Sequence, residues 1–139
     1  MTQPQTFRRF PDAAKTIAKI LETLVPATSA GPRVGTRTPD NLTGRMPFVR
    51  VVRDGGPSDL VNDYAFLYVD VLGNDLNAAE NLAERIRQKL TLERLRLGRA
   101  VVDSVECTSA PTELPPWAPG IHRFETRYTV VFRRYNAPA

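Results

Sequence analysis

The stretch Asn62-Asp-Tyr-Ala-Phe-Leu-Tyr-Val-Asp-Val-Leu72 decides the fold, because it alternates with the two-residue period of a β-strand. Every second residue from Ala65 to Val71 is aliphatic, which predicts a face buried in the core. The residues on the other face are aromatic or acidic: Tyr64, Phe66, Tyr68 and Asp70. Monomeric proteins rarely leave such a patch in water, so this second face is a candidate contact surface.

A second strand precedes this one. Phe48-Val-Arg-Val-Val-Arg53 also alternates, and Asp54-Gly-Gly-Pro57 turns the chain between the two, which predicts an antiparallel hairpin. Two arginines, Arg50 and Arg53, interrupt this otherwise apolar strand. For Arg50 two interpretations stay open. It forms a cross-strand pair with Asp70 inside one sheet, or it offers a cation to another copy of the chain.

Two segments have the period of an amphipathic helix. The first begins around Phe10-Pro-Asp12, carries an apolar stripe from Ala14 to Val25, and ends at Pro26. The second is predicted from Asn77 to about Leu95. Each helix has one apolar face, so both are expected to pack that face against the core.

Two further strands are predicted at Arg99–Ser109 and His122–Tyr135, and a short extended piece at Arg33–Thr38. The proline-rich segment Ala110–Gly120 between the two strands is predicted to be neither helix nor strand. The resulting order is α-β-β-β-α-β-β. It predicts an α+β fold, with two helices packed on one face of a mainly antiparallel four- to five-stranded sheet.

Composition narrows the class of protein. The 139 residues correspond to one domain, and their formal net charge is +4 with no run of consecutive cations typical of a nucleic-acid arm. No apolar run approaches the roughly 20 residues that cross a bilayer, and no secretory signal opens the chain, so we expect an intracellular protein without membrane contact. Cys107 and His122 are each the sole residue of their kind, which argues against a disulfide or a zinc site.

Catalytic patterns are not found in the sequence. The glycine-containing segments match neither the P-loop nor the dinucleotide fingerprint, and His122 has no nucleophile motif around it. Cys107 alternates with Val105 and Val101, as a buried strand residue does. We therefore predict no catalytic residue, cofactor or metal. A nucleic-acid-binding module is an alternative, since aromatic strand residues can stack on bases, but the strand holding Asp70 contains no cation.

The order of short motifs resembles a known family. The motifs are Phe10-Pro-Asp12, Thr38-Pro-Asp40, Pro47-Phe-Val-Arg-Val51 running into Arg53-Asp-Gly-Gly56, Asp70-Val-Leu72 before Asn77-Ala-Ala-Glu-Asn-Leu-Ala-Glu84, Leu114-Pro-Pro-Trp117, and Arg123-Phe-Glu-Thr-Arg-Tyr128. Together they resemble the tail terminator proteins of long-tailed (siphovirus-type) bacteriophages, especially those of actinobacterial hosts. The resemblance implies a single domain at residues 10–135, with a flexible extension at residues 1–9 and a flexible tail at residues 136–139.

That resemblance also implies a function. Tail terminators are structural virion proteins at the tail–neck junction, assembled in the host cytoplasm, and not enzymes. They form a homohexameric ring on the head-proximal end of the tail tube, stop its growth, and dock the head–tail stopper or connector. The implied partners are further copies of the chain, the major tail protein, the connector, and genomic DNA that passes through the lumen without sequence-specific contact. Another neck component is the alternative.

A ring needs two different contact patches on each subunit. The candidate interface residues are Arg50, Arg53, Tyr64, Phe66, Tyr68, Asp70 and Trp117. Trp117, in its proline frame, is expected to be a lid over the core or a rigid anchor for another ring. The loop Gly31–Met46 is locally basic through Arg33, Arg37 and Arg45. It is expected to contain no packed element and to reach an acidic patch on a neighbour or the tube, or else to line the lumen.

Overall fold

The computed structural model describes residues 6–138 of the chain. Its elements, in chain order, are β1 (Thr6–Arg9), α1 (Ala13–Leu21), β2 (Val34–Gly35), a 3₁₀ helix (Leu42–Arg45), β3 (Phe48–Arg53), β4 (Asn62–Gly73), α2 (Leu76–Leu92), β5 (Arg96–Leu97), β6 (Ala100–Ala118), β7 (Ile121–Arg133) and β8 (Tyr135–Pro138). The predicted α+β class, with two helices and a mainly antiparallel sheet, is confirmed.

The strand count differs from the prediction. The main sheet has six strands in the order β2-β3-β4-β7-β6-β5, and β1 and β8 form a separate two-stranded sheet. All pairs in the main sheet are antiparallel except β2 with β3. β2 lies within the extended piece predicted at Arg33–Thr38, so β5 is the additional strand of the main sheet. With only two residues, β5 is too short for a periodic sequence pattern to identify it.

The predicted hairpin forms the centre of this sheet. β3 pairs with β4 in a register that puts Arg50 opposite Asp70, and β4 pairs along its whole length with β7, from Asn62 opposite Arg133 to Gly73 opposite His122. The aliphatic face of β4 is fully buried, as predicted, and joins one core with the apolar faces of both helices. Both helices therefore lie on that side of the sheet.

Each helix begins at an aspartate that accepts a backbone hydrogen bond. The Asp12 carboxylate accepts from the Lys15 N–H and the Asp75 carboxylate from the Ala78 N–H, both at 3.0 Å. Such N-caps are worth about 1 kcal/mol each. α1 ends at Leu21, earlier than predicted, although Val25 beyond it is buried in the same core.

The segment predicted as a proline-rich loop is instead part of β6, which runs for 19 residues to Ala118. Within the described part of the chain, the outer edge of β6 pairs only with β5, at Ala100 and Val101. Proline is tolerated on an edge strand because an outward-facing N–H is not needed there. The pairing of β6 with β7 also shifts register at four places, which accommodates residues that do not fit a regular ladder. The prediction was therefore wrong for 110–118.

One of these shifts, between Val102 and Ser104, also changes which valines face the core. Val102, Val105 and Cys107 pack against the core, whereas Val101 is half exposed. The expected alternation of Val101, Val105 and Cys107 on one face is thus wrong at Val101, because a β-bulge reverses the alternation.

The two ends of the domain meet. β1 pairs antiparallel with β8, with Thr6 opposite Pro138 and Arg9 opposite Tyr135. The Arg134 guanidinium lies over the Phe10 ring at 4.2 Å and donates to the Arg8 carbonyl. The predicted extension 1–9 and tail 136–139 overlap this pair, which the sequence pattern did not indicate. Residues 1–5 and 139 lie outside the described residues.

Candidate interaction surface on the open face of the sheet

The side of the main sheet opposite the helices is called here the open face. The even-numbered residues of β4 lie on it, so Tyr64, Phe66, Tyr68 and Asp70 share one surface, as the alternation predicted. Phe66 is 45% exposed, and the two tyrosines are half-buried. The aromatic residues are therefore present at the surface, but only Phe66 shows a large part of its ring to solvent.

Arg50, Asp70 and Arg123 form the polar centre of the open face. Asp70 is completely buried, and its Oδ2 accepts from Arg50 Nη2 at 2.7 Å and from Arg123 Nη2 at 3.3 Å. Its Oδ1 accepts no hydrogen bond from the described residues. Of the two interpretations of Arg50, the cross-strand pair with Asp70 is the one present within the chain.

The ion pairs continue beyond this centre in a line. Arg123 also contacts Glu125 at 3.4 Å, and Arg127 contacts Glu125 at 2.8 Å and Asp54 at 3.4 Å. We call the resulting series Arg50–Asp70–Arg123–Glu125–Arg127–Asp54 the charge chain. The signs alternate, so the charge chain is neutral. The charge of Glu125 and its hydrogen bond, followed by Asp54, raise the pKa of Arg127.

Four members of the charge chain were not predicted from the sequence: Arg123, Glu125, Arg127 and Asp54. The register was the missing information. Glu125 lies directly opposite Asp70, which in turn lies opposite Arg50, so three strands place one charged residue each in a single row. The sequence did show that Glu125 and Arg127, at odd positions of the final strand, face away from its apolar side. This alternation is the pattern that could have identified them. It could be used only once β7 was known to be the neighbour of β4.

Trp117 lies over two members of the charge chain. Its ring centroid is 4.7 Å from the Arg50 guanidinium carbon and 5.6 Å from that of Arg123. Both distances are within the range of cation–π attraction. Trp117 lies on β6 beside a register shift between Leu114 and Ala118, and it is 38% exposed. It therefore covers a polar cluster on the open face, not the hydrophobic core.

Arg53 has a different role from Arg50. Its Nη1 and Nη2 each donate to the Asp63 carboxylate at 2.7 Å, its Nε donates to the Gly55 carbonyl at 3.0 Å, and Ser58 donates to the same carboxylate. Burial by itself would raise the pKa of Asp63, but the hydrogen bonds from Arg53 and Ser58 outweigh it and lower that pKa. Arg53 thus holds the β3–β4 loop to its own strand.

The three arginines of the predicted basic loop are also placed unequally. Arg33 donates to the Pro26 carbonyl at 2.7 Å and Arg45 to the Pro32 carbonyl at 3.4 Å, so both brace their own segment. Arg37 is exposed and has no hydrogen bond or ion pair among the described residues.

The loop itself is partly ordered. It contains β2 and the 3₁₀ helix, and Leu42 is buried against Phe48 and Leu72 in a small second core. The prediction that no packed element occurs between Gly31 and Met46 was therefore wrong.

A shallow cavity of about 260 Å³ lies beside Phe66, lined by Asp54, Phe66, Leu67, Thr108, Arg127, Tyr128 and Thr129. Among the described residues, no group of three or more His, Cys, Asp and Glu side chains could hold a metal ion. Over that same part of the chain, neither helix has the length and apolar character needed to span a membrane.

No family model matches the chain, and no curated protein shows significant similarity to it.

Proposed function

We propose that this protein is the tail terminator of a long-tailed bacteriophage. It forms a homohexameric ring on the head-proximal end of the tail tube, stops tube polymerisation and provides the docking surface for the head connector. The proposal starts from the order of motifs across residues 10–135. Its structural support comes from the surface that the fold leaves uncovered.

The observation that carries the proposal is the open face. It combines a tryptophan, an exposed phenylalanine, two half-buried tyrosines and arginines held by ion pairs, which include the residue types enriched at the centres of protein interfaces. Ion pairs with carboxylates hold the arginines in place before any partner binds, so the arginines lose little side-chain entropy on association. A single domain with such a face is suited to assembly with other copies or proteins.

Nucleic-acid binding is less well supported by the same surface. The charge chain is neutral, so the open face offers no excess of cations to phosphates. Arg127 lies over the Tyr68 ring at 5.5 Å, and Arg50 and Arg123 lie over Trp117, so the chain's own arginines occupy ring faces that bases would need. A protein partner is therefore the better match.

The test uses purified protein and purified tail tubes. We expect the protein to cap tubes at one end, and to form a ring on the tube or at high protein concentration, visible in negative-stain images. Phe66→Ser, which changes an exposed side chain on the open face, is expected to reduce capping, whereas Leu92→Ser, at an 80% exposed position on α2, serves as the matched control. Protein that neither oligomerises nor caps tubes would contradict the proposal.

The position in the particle separates this function from that of another neck component. A tail terminator contacts the last ring of the tube, whereas a head–tail stopper or connector lies one layer nearer the head. Labelling the protein in whole particles and imaging them measures this position directly. A label found only on the head side would favour the alternative.

A further inference from the structure

The β3–β4 loop ends in an exposed acidic and aliphatic tip, formed by Asp59, Leu60 and Val61 and called here the loop tip. Leu60 is 85% exposed and Val61 58% exposed. The Asp59 Oδ1 accepts the N–H groups of Val61 at 2.8 Å and Asn62 at 2.7 Å. Those two backbone hydrogen bonds, from Asn62 and Val61, lower the pKa of Asp59 and so favour its charged form.

The loop tip is held rigidly. Arg134 donates to the Leu60 carbonyl at 2.9 Å, and the Arg53–Asp63 pair fixes the base of the loop. A rigid aliphatic protrusion loses little conformational entropy when it is buried by a partner. Two large aliphatic side chains held in water at such a position call for a binding partner more than isolated surface residues do.

A cleft of complementary character lies at the end of α2. A cavity of about 450 Å³ is lined by Arg94, Leu95, Arg96, Val101, Val102 and Asp103. Asp103 is paired with Arg133 at 3.3 Å, so Arg94 and Arg96 give the cleft a positive charge. Arg94 and Arg96 are exposed, and the half-exposed Val101 provides an apolar wall. We call this site the β5–β6 cleft.

The loop tip and the β5–β6 cleft match in charge, polarity and size. The tip joins one carboxylate to two aliphatic side chains, and the cleft joins two guanidinium groups to an aliphatic wall. Since a cavity of about 150 Å³ can hold a benzene molecule, the larger cleft has room for Leu60 and Val61. The tip precedes β4, whereas the cleft borders β5 and the start of β6 on the far side of β7, so they are different patches of one copy.

We propose that the loop tip of one copy docks in the β5–β6 cleft of the next copy, with Leu60 against Val101 and Asp59 beside Arg94 and Arg96. Two different patches that bind each other make a head-to-tail contact, which generates a ring when the rotation closes. This inference rests on the proposed ring and specifies its subunit contact.

Disulfide trapping between two kinds of copy tests the docking directly. One full-length variant carries Leu60→Cys and the other Val101→Cys, both in a Cys107→Ser background because Cys107 is the native free thiol. After mild oxidation of the mixture, we expect about tenfold more cross-linked heterodimer than from the control pair, Leu60→Cys with Leu76→Cys, because docking raises the effective thiol concentration. Equal yields from the two pairs would overturn the proposal.

Charge reversal provides a second measurement. Asp59→Arg and the double variant Arg94→Glu/Arg96→Glu are each expected to weaken self-association about tenfold, and mixing the two is expected to restore it, because like charges repel and the swap restores attraction. Arg85→Glu, at an exposed arginine of α2 outside both patches, is the matched control. Leu60→Ser is a second variant of the loop tip that alters no buried group. It keeps the test valid if the Asp59 variant misfolds. Unchanged association of the Asp59 and Leu60 variants would contradict the docking.

These results separate the docking from the proposed function. Tube capping by protein that shows no specific cross-link would overturn the docking and leave the function intact. Specific cross-linking by protein that does not cap tubes would support the docking and contradict the tail-terminator proposal.

Discussion

Arg50 and Arg53 lie three residues apart on one strand, and each binds a buried aspartate, but the two pairs differ in completeness. The Asp63 carboxylate uses both oxygens, accepting two hydrogen bonds from Arg53 and one from Ser58. The Asp70 carboxylate uses one oxygen for two arginines, and its Oδ1 accepts nothing from the described residues. The Arg53–Asp63 pair stabilises the β3–β4 loop, whereas the Arg50–Asp70 pair lies on the open face.

This difference follows from what surrounds each pair. The carbonyls of Gly55 and Gly56 accept from Arg53, and Ser58 donates to Asp63, so all the further partners lie within ten residues of sequence. The partners around Arg50 are the buried Asp70 on the neighbouring strand and the partly exposed Trp117 on β6, and Asp70 is shared with Arg123 on β7. A pair completed locally indicates a structural role. An incomplete pair beneath an exposed aromatic residue is typical of an interaction surface.

The largest expected effect concerns the glycines of the closed loop. A Cβ on Gly56, whose φ is 110°, would lie only 1.9 Å from the Tyr64 carbonyl oxygen, while a Cβ on Gly55, at φ 79°, would meet nothing within 4 Å. Gly56→Ala is therefore expected to lower the free energy of unfolding by more than about 3 kcal/mol, and Gly55→Ala by about 1 kcal/mol. Urea unfolding of both variants measures this, and equal losses would show that the loop adapts freely.

The second prediction compares the two aspartates. Asp63→Asn removes a doubly bonded carboxylate and leaves Arg53 partly buried without its charge partner, so we expect a loss of about 2 kcal/mol. Asp70→Asn is expected to cost about 1 kcal/mol, because Arg123 keeps Glu125 as a partner and Arg50 keeps Trp117. Chemical denaturation of both variants provides the comparison. A larger loss at Asp70 would reverse the assignment of the two roles.

The third prediction uses pH. The pKa of Asp63 is lower in the folded protein than in the unfolded chain, where it is about 3.9, so its contribution to stability is fully present above about pH 4. That contribution is lost as the pH falls through the folded-state pKa. Between pH 7 and pH 3 the parent protein should thus lose more stability than Asp63→Asn, which has no carboxylate to titrate there. Identical losses in urea unfolding at the two pH values would contradict this.

Much of the sheet's centre could be predicted because its signals are local. The alternation in residues 62–72, the turn at Asp54–Pro57 and the start of the first helix at Asp12 each depend on neighbouring residues only. The hairpin register also places Arg50 opposite Asp70, which was one of the two interpretations left open for Arg50. Arg53 was assigned to the same surface as Arg50, because the sequence did not reveal that its loop folds back to bind it.

The strands at the edges of the domain could not be predicted, because their structure depends on contacts with residues distant in sequence. Proline in residues 110–118 indicated a loop, yet edge position and register shifts allow a strand there. The β1–β8 pair joins residues more than 120 positions apart. For the candidate surface, the aromatic face of β4 was predicted, whereas Glu125 and Arg127 required knowledge of which strand adjoins it.

The smallest expected effect sharpens the description of the incomplete pair. Trp117 is the only tryptophan of the chain, so its fluorescence reports on the open face without interference. Arg50→Met keeps the aliphatic stem but removes the cation 4.7 Å from the ring, which should cost no more than about 1 kcal/mol of stability and shift the emission. Arg123→Met, at 5.6 Å, should shift it less, and Arg37→Met not at all. If Arg50→Met leaves the emission unchanged, Trp117 does not rest on the charge chain in solution, and the open face is less preorganised than we propose.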